Sequence, residues 1–383
     1  MSEVVFILGA GASHKAGVPL MSNFLDVAHD LWKMGYVSDA ERSFEAVFNG
    51  ISALKGVHSN SQLDIHNVES VFAAFEMIKT LGNFERYDTP EKIDGLISAM
   101  KTVIVKTIEE TFALPASGPD VQAPPPYDSF TAIVRFLRED ATPPRSVSVI
   151  TFNYDMALDY AFYRNQVKVD YALDDEGPVS GIPLLKLHGS LNWAHCSGCK
   201  CIAPWPLESY LSQHQWDTPL LYALEDMVQS FKLSIGSNIG EFEHCGFRVR
   251  GEPVIVPPTW NKSDYHRDLS PVWSRAAKEL HDAEYIFVIG YSLPPSDAFF
   301  RYLYALGTAG EGVLKRFWVF DPDPEVGRRF CELLGPGALQ RFRSFHKTSG
   351  TFEEAIDTVL EAFPTPRQPG NFLIERLSQS SDG

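Results

Sequence analysis

The sequence predicts an α/β fold, a Rossmann-like parallel sheet with a helical insertion subdomain, from three observations. Five apolar runs, rich in β-branched and aromatic residues, have the length of strands buried on both faces, as in a parallel sheet. Helical spacing separates these runs, and intervening helices favour parallel pairing of the strands they connect. Each run also ends in a glycine or a polar residue. The five runs are residues 4–8, 146–151, 184–187, 285–289 and 317–320.

The chain between the first two strands has the pattern of helices. A first helix is expected over residues 22–32, with Ser22 or Asn23 as its N-cap. From about residue 38 to residue 140 helical spacing continues without an evident strand, which is too long for a simple crossover connection. The expected helices there are 41–48, 67–81, 91–112 and 128–138, and those further along are 156–163, 271–283, 297–306 and 352–363.

These patterns predict the domain organisation. We expect one domain of residues 1–363 that contains a helical insertion at 38–140, followed by a C-terminal tail at 364–383. A chain of 383 residues can bury a core of that size.

The loop after the first strand contains Gly9, Ala10, Gly11 and Ser13. The two glycines let the backbone turn tightly against a ligand, and a helix starting near Ser13 would add its positive dipole end. That combination suits a pyrophosphate. The dinucleotide fingerprint G-x-G-x-x-G is incomplete, because His14 occupies the third glycine position. A tight turn without a ligand is therefore an equal alternative.

Polar residues follow the other four strands as well. Because the carboxyl ends of parallel strands share one edge of a sheet, these residues are expected to meet there, where α/β proteins bind ligands. Singly, each could be a helix cap, a core histidine or a turn residue, but together they favour a nucleotide site. An amide, a carboxylate and a histidine beside one ribose suit cleavage of a glycosidic bond. The residues are Asn153 and Asp155, then His188, then Gly290 and Ser292, and finally Asp321.

Composition excludes several classes of protein. The net charge of −16 argues against direct nucleic-acid binding, which needs clustered Lys and Arg. No apolar run reaches the ~20 residues of a membrane helix, and no signal peptide is evident. Five cysteines, an odd number, indicate a reducing compartment and hence a cytoplasmic location.

Four of the cysteines lie between residues 196 and 245. Cys196, Cys199 and Cys201 contain one CxxC pattern, and His244 with Cys245 could complete four zinc ligands. Two CxxC patterns would indicate a zinc site strongly, but the sequence contains only one. The alternative is that these cysteines are reduced thiols in a loop. Zinc is thus possible, but no metal ligand is assigned, and we expect that zinc is not required.

In order along the chain, four motifs resemble the NAD-binding and catalytic motifs of sirtuins, most closely the sirtuin-like branch of bacterial antiphage defence proteins. They are Gly9-Ala10-Gly11-Ala12-Ser13, Thr151-Phe152-Asn153-Tyr154-Asp155, Lys186-Leu187-His188-Gly189-Ser190 and Gly290-Tyr291-Ser292-Leu293. The resemblance implies that the first motif contacts the NAD phosphates and that Gly290 and Ser292 hold phosphate or ribose. It implies that Asn153 lies near the nicotinamide ribose, that Asp155 binds the nicotinamide amide and that His188 is the base. It places Asp321 near the adenine ribose.

Departures from the sirtuin pattern favour one activity within this resemblance. Leu20-Met21-Ser22 stands where deacylating sirtuins have Asp-Phe-Arg, and residues 254–260 lack the Phe-Gly-Glu of the acyl-lysine groove. The resemblance therefore implies an NAD⁺ glycohydrolase that releases nicotinamide and ADP-ribose, with NAD as substrate, as an antiphage effector. A deacylase or ADP-ribosyltransferase, and a non-catalytic NAD- or ADP-ribose-sensing subunit, remain alternatives. It also implies a homo-oligomer and a partner such as a DNA-translocating ATPase.

Overall fold

The computed structural model describes residues 2–57, 63–82, 84, 87–117, 120–174, 181–214, 216, 230–256, 265–294, 298–308, 314–335, 346–348 and 350–363. Its strands are β1 (Val4–Leu8), β2 (Leu114–Ser117), β3 (Asp120–Val121), β4 (Val147–Thr151), β5 (Val169–Asp170), β6 (Ile182–Lys186), β7 (Gly189–Ser190), β8 (Trp193–His195), β9 (Ile202–Pro204), β10 (Ser230–Phe231), β11 (Glu243–His244), β12 (Phe247–Arg248), β13 (Val254–Ile255), β14 (Tyr285–Ile289), β15 (Arg316–Phe320) and β16 (His346–Thr348). Its α-helices are α1 (Phe24–Lys33), α2 (Glu41–Val57), α3 (Val68–Leu81), α4 (Pro90–Thr111), α5 (Tyr127–Arg135), α6 (Ala157–Arg164), α7 (Leu207–Gln213), α8 (Tyr265–Asp282), α9 (Ala298–Gly307), α10 (Pro324–Leu333) and α11 (Phe352–Glu361).

A seven-stranded parallel sheet organises the fold. Its strand order is β16-β15-β14-β1-β4-β6-β5, and every neighbouring pair is parallel. The predicted α/β class is confirmed, and all five predicted strands lie in this sheet. The edge strands β5 and β16 complete it.

Side chains of the central strand alternate between two hydrophobic cores, as the two-residue period of a strand requires. Val4, Phe6 and Leu8 face helices α1 to α6 and α11. Val5 and Ile7 face helices α8 to α10 on the opposite side of the sheet. Because both faces are covered, β1 is buried along its whole length. This explains why it reads as a continuous apolar run.

The segment that follows α1 differs from its prediction in two respects. It contains the strands β2 and β3, which pair with each other, and β2 also pairs with β10, so the expectation of helices alone is wrong. Helix α2 continues nine residues beyond the predicted end at residue 48. The helices of this segment share one core with the sheet, and the Phe130 ring of α5 meets the Phe6 ring edge-on at 4.9 Å. The boundaries 38–140 remain a prediction.

Smaller corrections concern helix starts. The helix expected near Ser13 is a 3₁₀ helix over Ala10–Ala16. Asn23 takes the N-cap position of α1 without a side-chain cap, whereas the Asn67 side chain accepts hydrogen bonds from two N–H groups at the start of α3. Helix α8 begins six residues before the predicted start, so Pro271 lies inside it. Proline favours the first turn of a helix, which is why the sequence placed the start there. The tail at 364–383 lies outside the described residues.

None of the helices in the described ranges is both long enough and apolar enough to cross a membrane.

Candidate functional site

The strand order creates a topological switch point beside β1. The chain passes from β1 to β4, β5 and β6 on one side and then crosses to β14, β15 and β16 on the other. Loops after β1 and β14 therefore leave the sheet in opposite directions and open a crevice, which is where open α/β sheets bind ligands. A cleft of about 580 Å³ lies there, lined by the loops after β1, β4, β6, β14 and β15.

Most of the predicted site residues line this cleft. They are Ala10, Gly11, Asn153, Asp155, His188, Gly290, Ser292 and Asp321. Gly9 and Ser13 do not line it. Both lie directly behind Asn153 and contact its side chain, and Ser13 is fully buried. The structure thus brings together residues that are up to about 300 positions apart in the sequence.

The glycines of the first loop allow close packing of two loops. A Cβ on Gly9 would lie 2.5 Å from Tyr291 Cα, and one on Gly11 would lie 2.8 Å from Gly290 Cα. Gly290 has φ of +61°, in the left-handed region that glycine adopts most readily. These glycines therefore have a packing reason that is independent of any ligand.

Backbone hydrogen bonds of the same loop bear on its predicted role as a phosphate cradle. The N–H groups of Gly9, Gly11 and Ala12 donate to the carbonyl oxygens of Ile289, Gly290 and Gly9, at 3.1, 2.9 and 2.9 Å. A phosphate would have to use other donors of the loop, or displace one of these bonds. The predicted contact of Gly9 and Gly11 with phosphate remains a prediction.

Asn153 is held in a defined orientation. Its Nδ2 donates to the Gly9 carbonyl oxygen at 2.9 Å and to Ser13 Oγ at 3.0 Å. Because a carbonyl oxygen can only accept, the nitrogen and not the oxygen of the amide must face Gly9. Both amide hydrogens are thus engaged within the protein. Oδ1 is left as the acceptor that Asn153 can offer to a ligand in the cleft.

Asp155 is buried and has a structural role at one of its oxygens. Its Oδ1 accepts from the Ala157 N–H at 2.9 Å, as a helix cap does at the start of α6. Burial raises the pKa of Asp155, although the nearby Lys186 charge opposes that shift. One oxygen of Asp155 thus has a structural role just before α6, where Met156 holds the N-cap position, and the residue also lines the cleft.

The Lys186 side chain holds the backbone of the turn between β4 and α6 in place. Its Nζ donates to the Asp155 carbonyl oxygen at 2.7 Å and to Asp159 Oδ2 at 2.8 Å. The hydroxyl of Tyr171 donates to the other oxygen of Asp159 at 2.6 Å. Both members of the Lys186–Asp159 ion pair are almost fully buried. No sequence pattern indicated this pair, since an isolated lysine at the end of a strand is usually exposed.

His188 lines the cleft and lies in an aromatic environment. It is 2% exposed, and its ring meets the Phe152 ring edge-on at 5.1 Å. Phe152 in turn stacks on Tyr291 at 4.0 Å. The Val256 N–H donates to the His188 carbonyl oxygen at 2.9 Å, which ties the motif to the chain after β13. The environment is that of a core histidine, at a position that also faces the cleft.

Ser292 and Asp321 line the cleft from the loops after β14 and β15. Burial raises the pKa of the Asp321 carboxyl group, and its Oδ1 accepts from the Asp323 N–H at 2.9 Å. The Ser292 carbonyl oxygen accepts from Arg329 Nε at 2.8 Å. One oxygen of Asp321 thus stabilises a turn, which is the role expected without a ligand, and the residue also lines the cleft.

Sequence reasoning missed the residues that other helices contribute. Helix α3 and the residue before it add Glu69 and Asn67, and α11 adds Phe352 and Glu353. Glu353 forms an ion pair with Lys15 of the first loop. Tyr127 of α5 reaches Ser13 from behind the cleft. Only tertiary packing brings these residues to the sheet edge, so no local pattern could have indicated them.

The cysteine-rich segment forms a separate cluster. Cys196 Sγ lies 3.4 Å from Cys245 Sγ, and Cys199 Sγ lies 3.5 Å from His244 Nδ1. The four ligand atoms lie within 4.8 Å of one another. Tetrahedral zinc with ~2.3 Å bonds to sulfur needs ligand separations of roughly 3.7 Å, so the donor set and its spacing fit zinc. The β11–β12 hairpin supplies the second half of the set, and Cys201 is not part of it.

The chain was compared with protein families, curated proteins and solved structures. No family model matches the chain, and no curated protein matches it. Similar solved structures include a Sir2 homologue in complex with NAD, at 16% identity over 95% of this chain and 91% of that chain, with a TM-score of 0.42. A mutant Sir2 homologue in complex with ADP-ribose has 15% identity over 96% of both chains and a TM-score of 0.39. A third structure, described as a basis for the mechanism and regulation of Sir2 enzymes, has 16% identity over 99% and 94% and a TM-score of 0.40. Similarity at this level carries no argument about what this chain binds.

Proposed function

We propose that the chain binds NAD in the cleft at the switch point and hydrolyses it to nicotinamide and ADP-ribose, as an NAD⁺ glycohydrolase. The observation that carries this proposal is the convergence of Asn153, Asp155 and His188 on one cleft beside the Gly9–Gly11 and Gly290 loops. A volume of about 580 Å³ lies in the usual range for small-molecule sites. The sirtuin-like order of the motifs supports NAD as the ligand.

In this proposal water attacks C1′ of the nicotinamide ribose while the bond from C1′ to the nicotinamide nitrogen breaks. The bonding pair leaves with nicotinamide, and the water loses its proton to His188 and then to solvent. The amide nitrogen of Asn153 already donates to Gly9 and Ser13. Its Oδ1 therefore accepts a hydrogen bond from the water or from a ribose hydroxyl. Asp155 accepts from the carboxamide of nicotinamide through the oxygen that does not cap α6.

A second candidate function is transfer of the ADP-ribosyl group to an acceptor, as in a deacylase or an ADP-ribosyltransferase. A separate cavity of about 800 Å³ is lined by residues 254–256 together with His195, Asp268 and Lys101. The chain that lines it is joined to His188 by the Val256 hydrogen bond. The sequence interpretation found no acceptor groove near residues 254–260, and this cavity is the feature that favours the alternative.

One experiment separates the candidate functions. Purified protein is incubated with NAD alone and with NAD plus an acylated lysine peptide, and nicotinamide, ADP-ribose and deacylated peptide are measured. Hydrolysis predicts nicotinamide and ADP-ribose in equal amounts without peptide. Transfer predicts nicotinamide release that depends on the acceptor. A sensing subunit predicts a rise in melting temperature with NAD or ADP-ribose but no product.

We also propose that the activity serves antiphage defence in an oligomer, next to a partner such as a DNA-translocating ATPase. The support is the motif resemblance, together with a physical argument. A free NAD hydrolase would deplete NAD in its own cell, so its activity must be restrained until a trigger arrives. The net charge of −16 disfavours DNA sensing by this chain itself. Measurement of the mass in solution, alone and with a candidate partner, tests this.

A further inference from the structure

Helix α5 reaches the candidate site through one hydroxyl group. The Tyr127 hydroxyl lies 2.8 Å from Ser13 Oγ, and Ser13 Oγ accepts from Asn153 Nδ2 at 3.0 Å. Ser13 is 0% exposed and Tyr127 is 1% exposed, so solvent has little access to this chain of hydrogen bonds. The arrangement connects a helix of the 38–140 segment to the amide that faces the cleft.

The direction of the hydrogen bonds gives Ser13 a linking role. Because Ser13 Oγ accepts one amide hydrogen of Asn153, its remaining hydrogen-bonding capacity is available to the Tyr127 hydroxyl. The Ser13 hydroxyl also interacts with the Asp155 carboxyl group and so opposes the rise in the pKa of Asp155 that burial causes. Loss of the Tyr127 partner would leave Ser13 free to turn toward Asp155 and away from Asn153. The second hydrogen bond of the Asn153 amide would then weaken, whereas the bond to Gly9 would remain.

Tyr127 itself is firmly placed. Its ring meets the Phe352 ring edge-on at 5.3 Å, and its N–H donates to the Pro124 carbonyl oxygen at 2.9 Å. Burial, together with the Asp155 charge, holds the pKa of the Tyr127 hydroxyl well above its usual range. The hydroxyl therefore stays protonated and serves as a neutral hydrogen-bonding group rather than as an acid or base.

We propose that Tyr127 is a positioning residue, which acts chiefly through Ser13, and also on Asn153 itself, to hold the Asn153 amide with Oδ1 toward the cleft. This inference rests on the proposed NAD hydrolysis. The inference concerns the orientation of Asn153 during the reaction and not the affinity of the cleft for NAD. Tyr127 touches neither the cleft nor the substrate directly, so its effect belongs in kcat rather than in KM.

Tyr127→Phe tests the proposal because it removes the hydroxyl and keeps the ring. We expect kcat for nicotinamide release to fall roughly five- to tenfold, the factor that one net hydrogen bond sustains, with KM for NAD within about twofold. The matched control is Tyr160→Phe, which removes a buried hydroxyl that donates to the Val121 carbonyl oxygen at 3.0 Å, outside the cleft lining. The control should lower the melting temperature without changing kcat. Equal kcat in the two variants would overturn the proposal.

A double-mutant cycle separates positioning from a general loss of stability. If Tyr127 acts through Ser13, Tyr127→Phe should change kcat by less than about twofold once Ser13→Ala is present. Fully additive effects would overturn the proposal. If the wild-type chain binds ADP-ribose but releases no nicotinamide, the proposed function fails. The positioning role is then tested on the hydrogen-exchange rate of the Asn153 side-chain amide protons, which Tyr127→Phe should raise, and an unchanged rate rejects the role.

Discussion

The side-chain amide of Asn153 donates a hydrogen bond to the carbonyl oxygen of Gly9 at 2.9 Å, which joins the loop after β4 to the loop after β1. The two loops come from neighbouring parallel strands in the middle of the sheet. Gly9 packs so closely on Tyr291 that a side chain there would collide with the backbone. Three loops are therefore held together at the point where the ligand cleft opens.

This relationship makes Asn153→Asp a sharp test of the site. The substitution keeps the shape of the side chain but places carboxylate oxygens against the Gly9 carbonyl and removes both N–H donors. We expect nicotinamide release to fall by about 100-fold or more, as for loss of an oriented polar group in an active site. Asn165→Asp is the control, since Asn165 Nδ2 donates to the Ala161 carbonyl oxygen and to Asp128 away from the cleft. Equal losses in the two variants would contradict the assignment.

Lys186 should contribute strongly to stability. Lys186→Met leaves the buried Asp159 carboxylate without its cation, and breaking a buried pair in this way costs about 3–5 kcal/mol of unfolding free energy. Lys315→Met is the control, because Lys315 pairs with Glu284 at 2.6 Å at a half-exposed position. It should cost less than about 1 kcal/mol. Denaturant unfolding of both variants measures the difference, and similar losses would show that the buried pair has no special role.

Glu109 gives a prediction about pH. Burial raises the pKa of this carboxyl group to about 7, despite hydrogen bonds from Ser237 and Gly236 that favour the ionised form. A carboxyl group whose pKa is higher in the folded state costs nothing below its unfolded pKa of 4.5 and destabilises the fold as pH rises to about 7. The full cost is on the order of 3 kcal/mol.

Glu109→Gln, which stays neutral at every pH, isolates this contribution. The unfolding free energy of the wild type, minus that of the variant, should decrease between about pH 4.5 and pH 7 and then level off. Other titrating groups are common to the two proteins and cancel in the difference. A difference that is independent of pH, or one that increases with pH, would contradict the account.

The spacing of the cysteine cluster fits zinc, which the sequence left possible without assigning a metal ligand, and we propose that the cluster binds one zinc ion. Protein purified without chelator should contain about one zinc per chain, and Cys199→Ser should lose both the metal and thermal stability. Cys331→Ser is the control, because Cys331 lies in α10, away from the cluster. Metal-free protein with unchanged stability would restore the original expectation.

The sequence predicted the sheet and the cleft because both depend on strong local signals. Five long apolar runs mark five strands, and the polar residues after them reach one edge through parallel pairing alone. The short strands β2, β3 and β5 were missed, since two to four residues give no period to detect. The sequence named Cys196, Cys199, His244 and Cys245 as possible zinc ligands, but it could not show that they meet, because a hairpin nearly fifty residues away supplies the last two. Tyr127 was missed because its partner Ser13 is 114 positions away.

The central claim is that this cleft hydrolyses NAD, and the most direct measurement is nicotinamide release from NAD by the wild-type chain and by His188→Ala. His188 is buried and lines the cleft, so the variant tests the proposed base while a melting curve with ADP-ribose checks that the fold and the site persist. The account predicts nicotinamide and ADP-ribose in equal amounts from the wild type. It predicts no release from a folded His188→Ala that still binds ADP-ribose. Equal release by the two proteins, or a wild type that neither binds nor cleaves NAD with or without a partner, would contradict it.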